Sequence, residues 1–130
     1  MQEVYRYLSQ AGVFYLATVE GDQPRVRPFG AINVYEGKLY IQTGKVKEVS
    51  KQMQINPKVE ICAMSEGKWL RLTGIVVRDD RYTAKESMLE ANPELRKSYS
   101  ADDDNTEVLY FQSAKAIFYS FGKDPVEIDF

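Results

Sequence analysis

Three short segments hold the side chains best suited to chemistry. The first is Thr43-Gly44-Lys45-Val46-Lys47, between the end of a strand pattern and the start of a helical one. A helix start offers unpaired backbone N–H groups and the positive end of a dipole, which suits a phosphate. Thr43 adds a hydroxyl, Gly44 permits close backbone approach, and Lys45, Lys47 and, one turn on, Lys51 add positive charge. Lysines at that end oppose the dipole, so an anion would relieve the conflict; a capped, solvated helix start with ordinary surface lysines is the plainer account of this segment alone. The second segment is Arg25-Val26-Arg27-Pro28-Phe29-Gly30. Arg25 and Arg27 share a face of a regular strand, and an arginine fork binds phosphate bidentately. Pro28 and Gly30 leave room and free backbone for a planar ring, or else Pro28 and the charges protect an edge strand. The third is Trp69-Leu70-Arg71-Leu72-Thr73-Gly74, where Trp69 and Arg71 lie on one strand face. They could form a wall and a polar clamp for a planar ligand; a core or interface aromatic is the alternative.

Composition removes most other chemistries. The 130 residues contain no histidine and one cysteine, Cys62, within an apolar run. Ser–His and Cys–His nucleophile pairs and His-ligated zinc or haem are therefore absent, and no disulfide framework is possible within the chain. Cys62 reads as a small core residue in a reducing, cytoplasmic protein. A formal net charge of −2 gives no field for nucleic acid, and no apolar run or leader pattern calls for a membrane. Neither common glycine-rich nucleotide loop occurs. Asp102-Asp103-Asp104 resembles a hard-cation site only superficially, because consecutive carboxylates cannot all face one ion. Any redox chemistry would need a bound cofactor.

The elements that must position these residues follow from periodicity. Val4, Tyr5 and Leu8 predict a short helix ending near Gly12; Val13–Glu20 predicts a buried strand. A long hairpin is expected from Arg25 to Thr43, with Val26–Tyr35 as one arm, Glu36-Gly37 as the turn and Leu39–Thr43 as the return. Val46, Val49 and Met53 predict a helix closed by Pro57. Val59–Met64 and Trp69–Val77 are strands about Ser65-Glu66-Gly67-Lys68, and Thr83–Ala91 is a helix broken by Asn92-Pro93. Val108–Gln112 and Ala116–Phe121 are two final strands before the tail Val126–Phe130. Residues 1–130 read as one domain, mainly β, with six or seven antiparallel strands closing on themselves and two or three short helices.

Taken in order, these segments resemble the pyridoxamine 5′-phosphate oxidase-like family of split β-barrels that bind flavin mononucleotide (FMN). The likeness runs through Gly21-Asp22-Gln23-Pro24, Arg25–Gly30, Leu39–Gly44, Lys47, Asn56-Pro57 and Trp69–Gly74. It implies a homodimer with FMN in a groove between subunits. Arg27 matches a flavin or phosphate contact, and Gln42, Thr43 and Gly44 match the strand end beside the ring. Lys47 matches a phosphate-contacting helix position, while Trp69 and Arg71 match residues reaching in from the partner. Arg25, Pro28, Phe29, Gly30, Lys45 and Lys51 complete the expected cofactor set. Some members of the family use a deazaflavin instead. The oxidases themselves carry a longer C-terminal region with aromatic and arginine residues, a pattern from which the tail Val126–Phe130 departs, so vitamin B6 oxidation is not expected. The resemblance implies a flavin-dependent reductase of a small organic molecule, with no protein residue marked as catalytic. A non-catalytic flavin module, or a dimeric barrel without cofactor, are the alternatives.

Overall fold

The computed structural model describes all residues 1–130. Helix α1 (Gln2–Ala11) is followed by strands β1 (Phe14–Glu20), β2 (Gln23–Phe29), β3 (Ile32–Tyr35) and β4 (Lys38–Gly44). Helix α2 (Glu48–Ile55) leads into β5 (Lys58–Ser65) and β6 (Lys68–Asp79). Helix α3 (Tyr82–Ala91), a 3₁₀ turn (Pro93–Lys97), β7 (Thr106–Tyr119) and β8 (Val126–Asp129) complete the chain.

All eight strands belong to one antiparallel sheet, ordered β2-β1-β5-β6-β7-β4-β3, with β8 added beside β7. Side chains on one face of seven of these strands converge on a single apolar core. Phe14, Leu16, Ile41, Ile61, Leu70, Leu72, Leu109 and Phe111 lie at its centre, closed by Val4 and Leu8 of α1 and Val49 and Met53 of α2. The fold is therefore a split β-barrel. Its two edges, β2 and β3, are consecutive in the chain and separated only by Gly30 and Ala31. We call the gap between them the seam.

Three elements differ from the sequence reading. The expected single arm Val26–Tyr35 is two strands: β2 pairs with β1, whereas β3 pairs with β4. Conversely, the two expected terminal strands form one continuous β7, which takes up a register shift at Gln112, opposite Ile75 and Val76, and stays paired with β6 on both sides of it. The short tail forms β8, so the count is eight strands rather than six or seven. The two Glu-Gly turns behave as read. Glu36, Gly37, Glu66 and Gly67 all have φ between 49° and 75°, the backbone that two-residue hairpins require.

Alternation also places Cys62 differently from expectation. Val59, Ile61 and Ala63 point inward, so Cys62 points outward and is exposed. Its neighbours on that outer face follow from the register: Tyr15 and Arg71 lie opposite it, Met64 lies opposite Trp69, and Val26 opposite Ala17. No helix is long and apolar enough to cross a membrane.

Candidate functional site

A cleft of about 370 Å³ opens at the seam. Its floor runs from Arg27 to Ala31, where edge strand β2 passes into β3. Gln42 and Thr43 at the end of β4 and Lys47 and Val49 at the start of α2 form one side. Asn92, Glu94, Leu95 and Tyr99, from the end of α3 through the 3₁₀ turn, form the other. The volume lies in the range of small-molecule sites.

Arg27 is the distinctive group in this cleft. Its Nη1 donates to the Thr18 hydroxyl at 2.7 Å and the Leu16 carbonyl at 3.3 Å, and its Nη2 donates to Gln52 Oε1 at 2.6 Å. Every one of these acceptors is neutral. By contrast Arg25, Arg71, Arg78, Arg81 and Arg96 each meet a carboxylate. Burial lowers the Arg27 pKa, and the like charge of Arg25 adds to the effect. A partly buried cation without a counter-charge is electrostatically unfinished, and an anion in the cleft would complete it.

Lys47 stands beside it as the N-cap residue of α2, in extended conformation, and no side chain caps the first turn. The helix begins one residue after Lys47, so Lys45 and Val46 precede it; the expected helical position of Val46 is instead an exposed loop residue. The reason lies in Asn105, whose carbonyl accepts the Lys45 N–H at 2.7 Å and whose side chain accepts the Val46 N–H at 3.2 Å. These bonds hold the segment as a loop against the start of β7.

The structure thus brings Arg27, Pro28, Phe29, Gly30, Gln42, Thr43 and Lys47 together in one cleft. The other named residues lie elsewhere in the single chain. Arg25 pairs with Glu20, Lys45 with Asp104, and Lys51 with Glu48. Gly44 packs against Asn105 and Tyr99, where a Cβ would approach the Tyr99 hydroxyl to 3.2 Å. Trp69 and Arg71 sit on the outer sheet face. Arg71 Nε donates to Glu60 at 3.1 Å, and Trp69 stacks on Tyr119 beside a second cleft of about 340 Å³ between α1 and the β5–β6 turn.

Sequence reasoning missed two groups. Asn92, Glu94, Leu95 and Tyr99 were read only as a helix break, and the Asn92-Pro93 signal carried no hint that the following turn walls a cleft. Thr18 and Gln52 were missed because they meet Arg27 only through tertiary packing. The acidic loop is occupied with its own backbone: burial pushes the Asp103 carboxyl up, but hydrogen bonds from Thr106, Ser100 and Asn105 outweigh this and hold it at about 2.

Comparisons with known proteins agree with this architecture. A search of curated proteins gave no match. A NimC/NimA family protein from Clostridium acetobutylicum superposes with a TM-score of 0.98 at 50% identity, covering 100% of this chain and 92% of the other. A pyridoxamine 5′-phosphate oxidase-related, FMN-binding protein from Nostoc punctiforme gives 0.65 at 16% identity, covering 98% and 92%. An F420 reductase gives 0.64 at 18% identity, covering 82% and 89%. The sequence model described as pyridoxamine 5′-phosphate oxidase matches residues 1–118. With that match spanning most of its length, the chain belongs to the pyridoxamine 5′-phosphate oxidase family.

Proposed function

We propose that this protein is an FMN-binding oxidoreductase, a reductase of a small organic molecule, that works as a homodimer in the cytoplasm. The observation that carries the reading is Arg27: a guanidinium held only by neutral acceptors, lining a cleft with Lys47 at an uncapped helix start. These residues fit a phosphate monoester, which supplies the missing negative charge and accepts several N–H bonds. Gln42 and Thr43 offer polar contacts beside it, and the cleft along Pro28 to Ala31 leaves space for a flat ring. When bound, the flavin supplies the hydride and electron chemistry, for which the chain has no redox group of its own.

The outer face supports the dimer reading. Tyr15, Val26 and Met64 are 52%, 68% and 67% exposed, and the register places them with Cys62, Trp69 and Arg71 on one side of the sheet. An apolar face of this kind calls for a partner surface. A second copy would bury it and carry Trp69 and Arg71 towards the neighbour's cleft, as the family resemblance implies.

The test is the visible spectrum of the purified protein, with the released cofactor identified by mass. A yellow protein releasing FMN supports the proposal, and release of a deazaflavin replaces the named cofactor while keeping the site. Protein that is colourless and remains so after incubation with FMN sinks it. A non-catalytic flavin module, which would use the same binding residues, is the second reading. Reduction of bound FMN by a nicotinamide nucleotide, followed by rapid reoxidation by a small acceptor, distinguishes the enzyme from the module.

A further inference from the structure

Arg27 lies on the edge strand β2, and its guanidinium crosses β1 to reach α2. The Gln52 carbonyl oxygen accepts twice, from Arg27 at 2.6 Å and from the Thr18 hydroxyl at 2.6 Å, while Thr18 itself accepts from Arg27 at 2.7 Å. The three side chains close a triangle in which Thr18 and Gln52 are buried. An arginine can only donate, so the atom facing it at position 52 must be the amide oxygen. Gln52 is on the same helix whose N-cap is Lys47, so a single helix both supplies one cation and fixes the other. Its bonds to the Leu16 carbonyl, Thr18 and Gln52 leave the guanidinium with spare donors, because it carries more N–H groups than they use.

The choice of an amide matters. A glutamate at position 52 would offer the same two acceptances and a stronger bond, as carboxylates do for five other arginines of this chain. It would also cancel the charge. We propose that Gln52, with Thr18, is a positioning pair that sets the Arg27 guanidinium for phosphate while leaving its positive charge unspent. The role rests on the FMN reading above and concerns the phosphate end of that site.

The test compares FMN with riboflavin, which shares the ring and ribityl chain but lacks the phosphate. Affinities for both are measured by flavin fluorescence titration on wild type, Gln52→Glu and Thr18→Val, with thermal melting alongside. In Gln52→Glu the ratio of FMN to riboflavin affinity falls by about tenfold, because the phosphate meets a neutralised arginine. Riboflavin binding is retained, and the dependence of FMN binding on salt weakens. Thr18→Val removes one anchor and lowers the same ratio by a smaller factor, which serves as the reading if Gln52→Glu does not fold. A ratio within about twofold of wild type in a folded variant, or parallel loss of both ligands, overturns the proposal. Wild type that binds FMN no more tightly than riboflavin overturns the phosphate site itself, a separate outcome.

Discussion

Trp69 and Tyr119 stack face to face across the β6–β7 ladder, with ring centroids 5.0 Å apart and planes within 8° of parallel. The stack fixes the indole plane on the outer sheet face, two residues along the strand from Arg71 and away from the chain's own Arg27 cleft. If these residues complete the neighbour's site, Arg27→Ala and Arg71→Ala proteins should each lose FMN, and mixing them should restore some binding. Random re-pairing gives half heterodimers, each with one intact site, so about a quarter of the sites recover. No recovery after mixing and subunit exchange counts against a shared site.

Lys47 and Lys51 carry the same charge one turn apart, but only Lys47 lines the cleft, while Lys51 pairs with Glu48 at 3.2 Å. Lys47→Ala is expected to weaken FMN binding by about three- to tenfold, the range for one partly exposed phosphate contact. Lys51→Ala should leave it within about twofold. Titration of both variants at two salt concentrations checks the contrast.

Asp79 accepts from the Tyr40 hydroxyl at 2.7 Å and from Arg81 at 2.9 Å, and Arg81 also reaches Glu36 at 3.0 Å. Hydrogen bonding to Arg81 lowers the Asp79 pKa from 3.8 to about 2, against an opposing contribution from burial. Its folded pKa is depressed, so the stabilisation is complete above about pH 4 and drains away as pH falls towards 2. Its size is on the order of 1–2 kcal/mol after allowance for solvent around Arg81. Melting temperature against pH should show a shallower acid limb in Asp79→Asn.

Gly74 sits opposite Ala114, just before the register shift between β6 and β7, and a Cβ there would come within 2.6 Å of the Ser113 carbonyl and 2.7 Å of the Phe111 ring. Backbone must move to admit it. Gly74→Ala should cost about 1–3 kcal/mol by denaturant titration, with FMN affinity of the folded fraction unchanged.

Glu107 is buried with one oxygen bound to Arg78 and the other, like Arg78 Nη2, without a partner. Glu107→Ala strands a half-buried guanidinium and should cost about 2–4 kcal/mol. Replacing both residues with apolar ones, Arg78→Met with Glu107→Leu, should recover most of that loss by the same measure.

What was legible in the sequence follows from the range of the forces involved. The Glu-Gly hairpins were readable because turn chemistry is local, and Trp69, Arg71 and Thr73 were readable as one face because strands alternate. Val26–Tyr35 looked like a single strand because nothing local marks a change of partner. Its division at Gly30 reflects which strands lie on either side, a decision of the whole sheet. The same holds for Cys62: an apolar run suggested the core, but register with Tyr15 and Arg71 turned it outward. Arg27 and Lys47 could be named from type and spacing. Thr18 and Gln52 could not, since 34 residues separate them and neither type is unusual where it stands.

The seam divides labour within the molecule. The rungs of the ladder specify the fold, and the gap between its edges β2 and β3 hosts the Arg27 cleft. If the cleft holds the proposed flavin, a substitution at Arg27, Gln42 or Gln52 would change recognition without breaking a strand pair's backbone bonds. A substitution such as Gly74→Ala does the reverse. A scaffold built this way can change its ligand by editing the gap alone, and its tolerance to mutation should be uneven: strict around the staves, permissive along the slot.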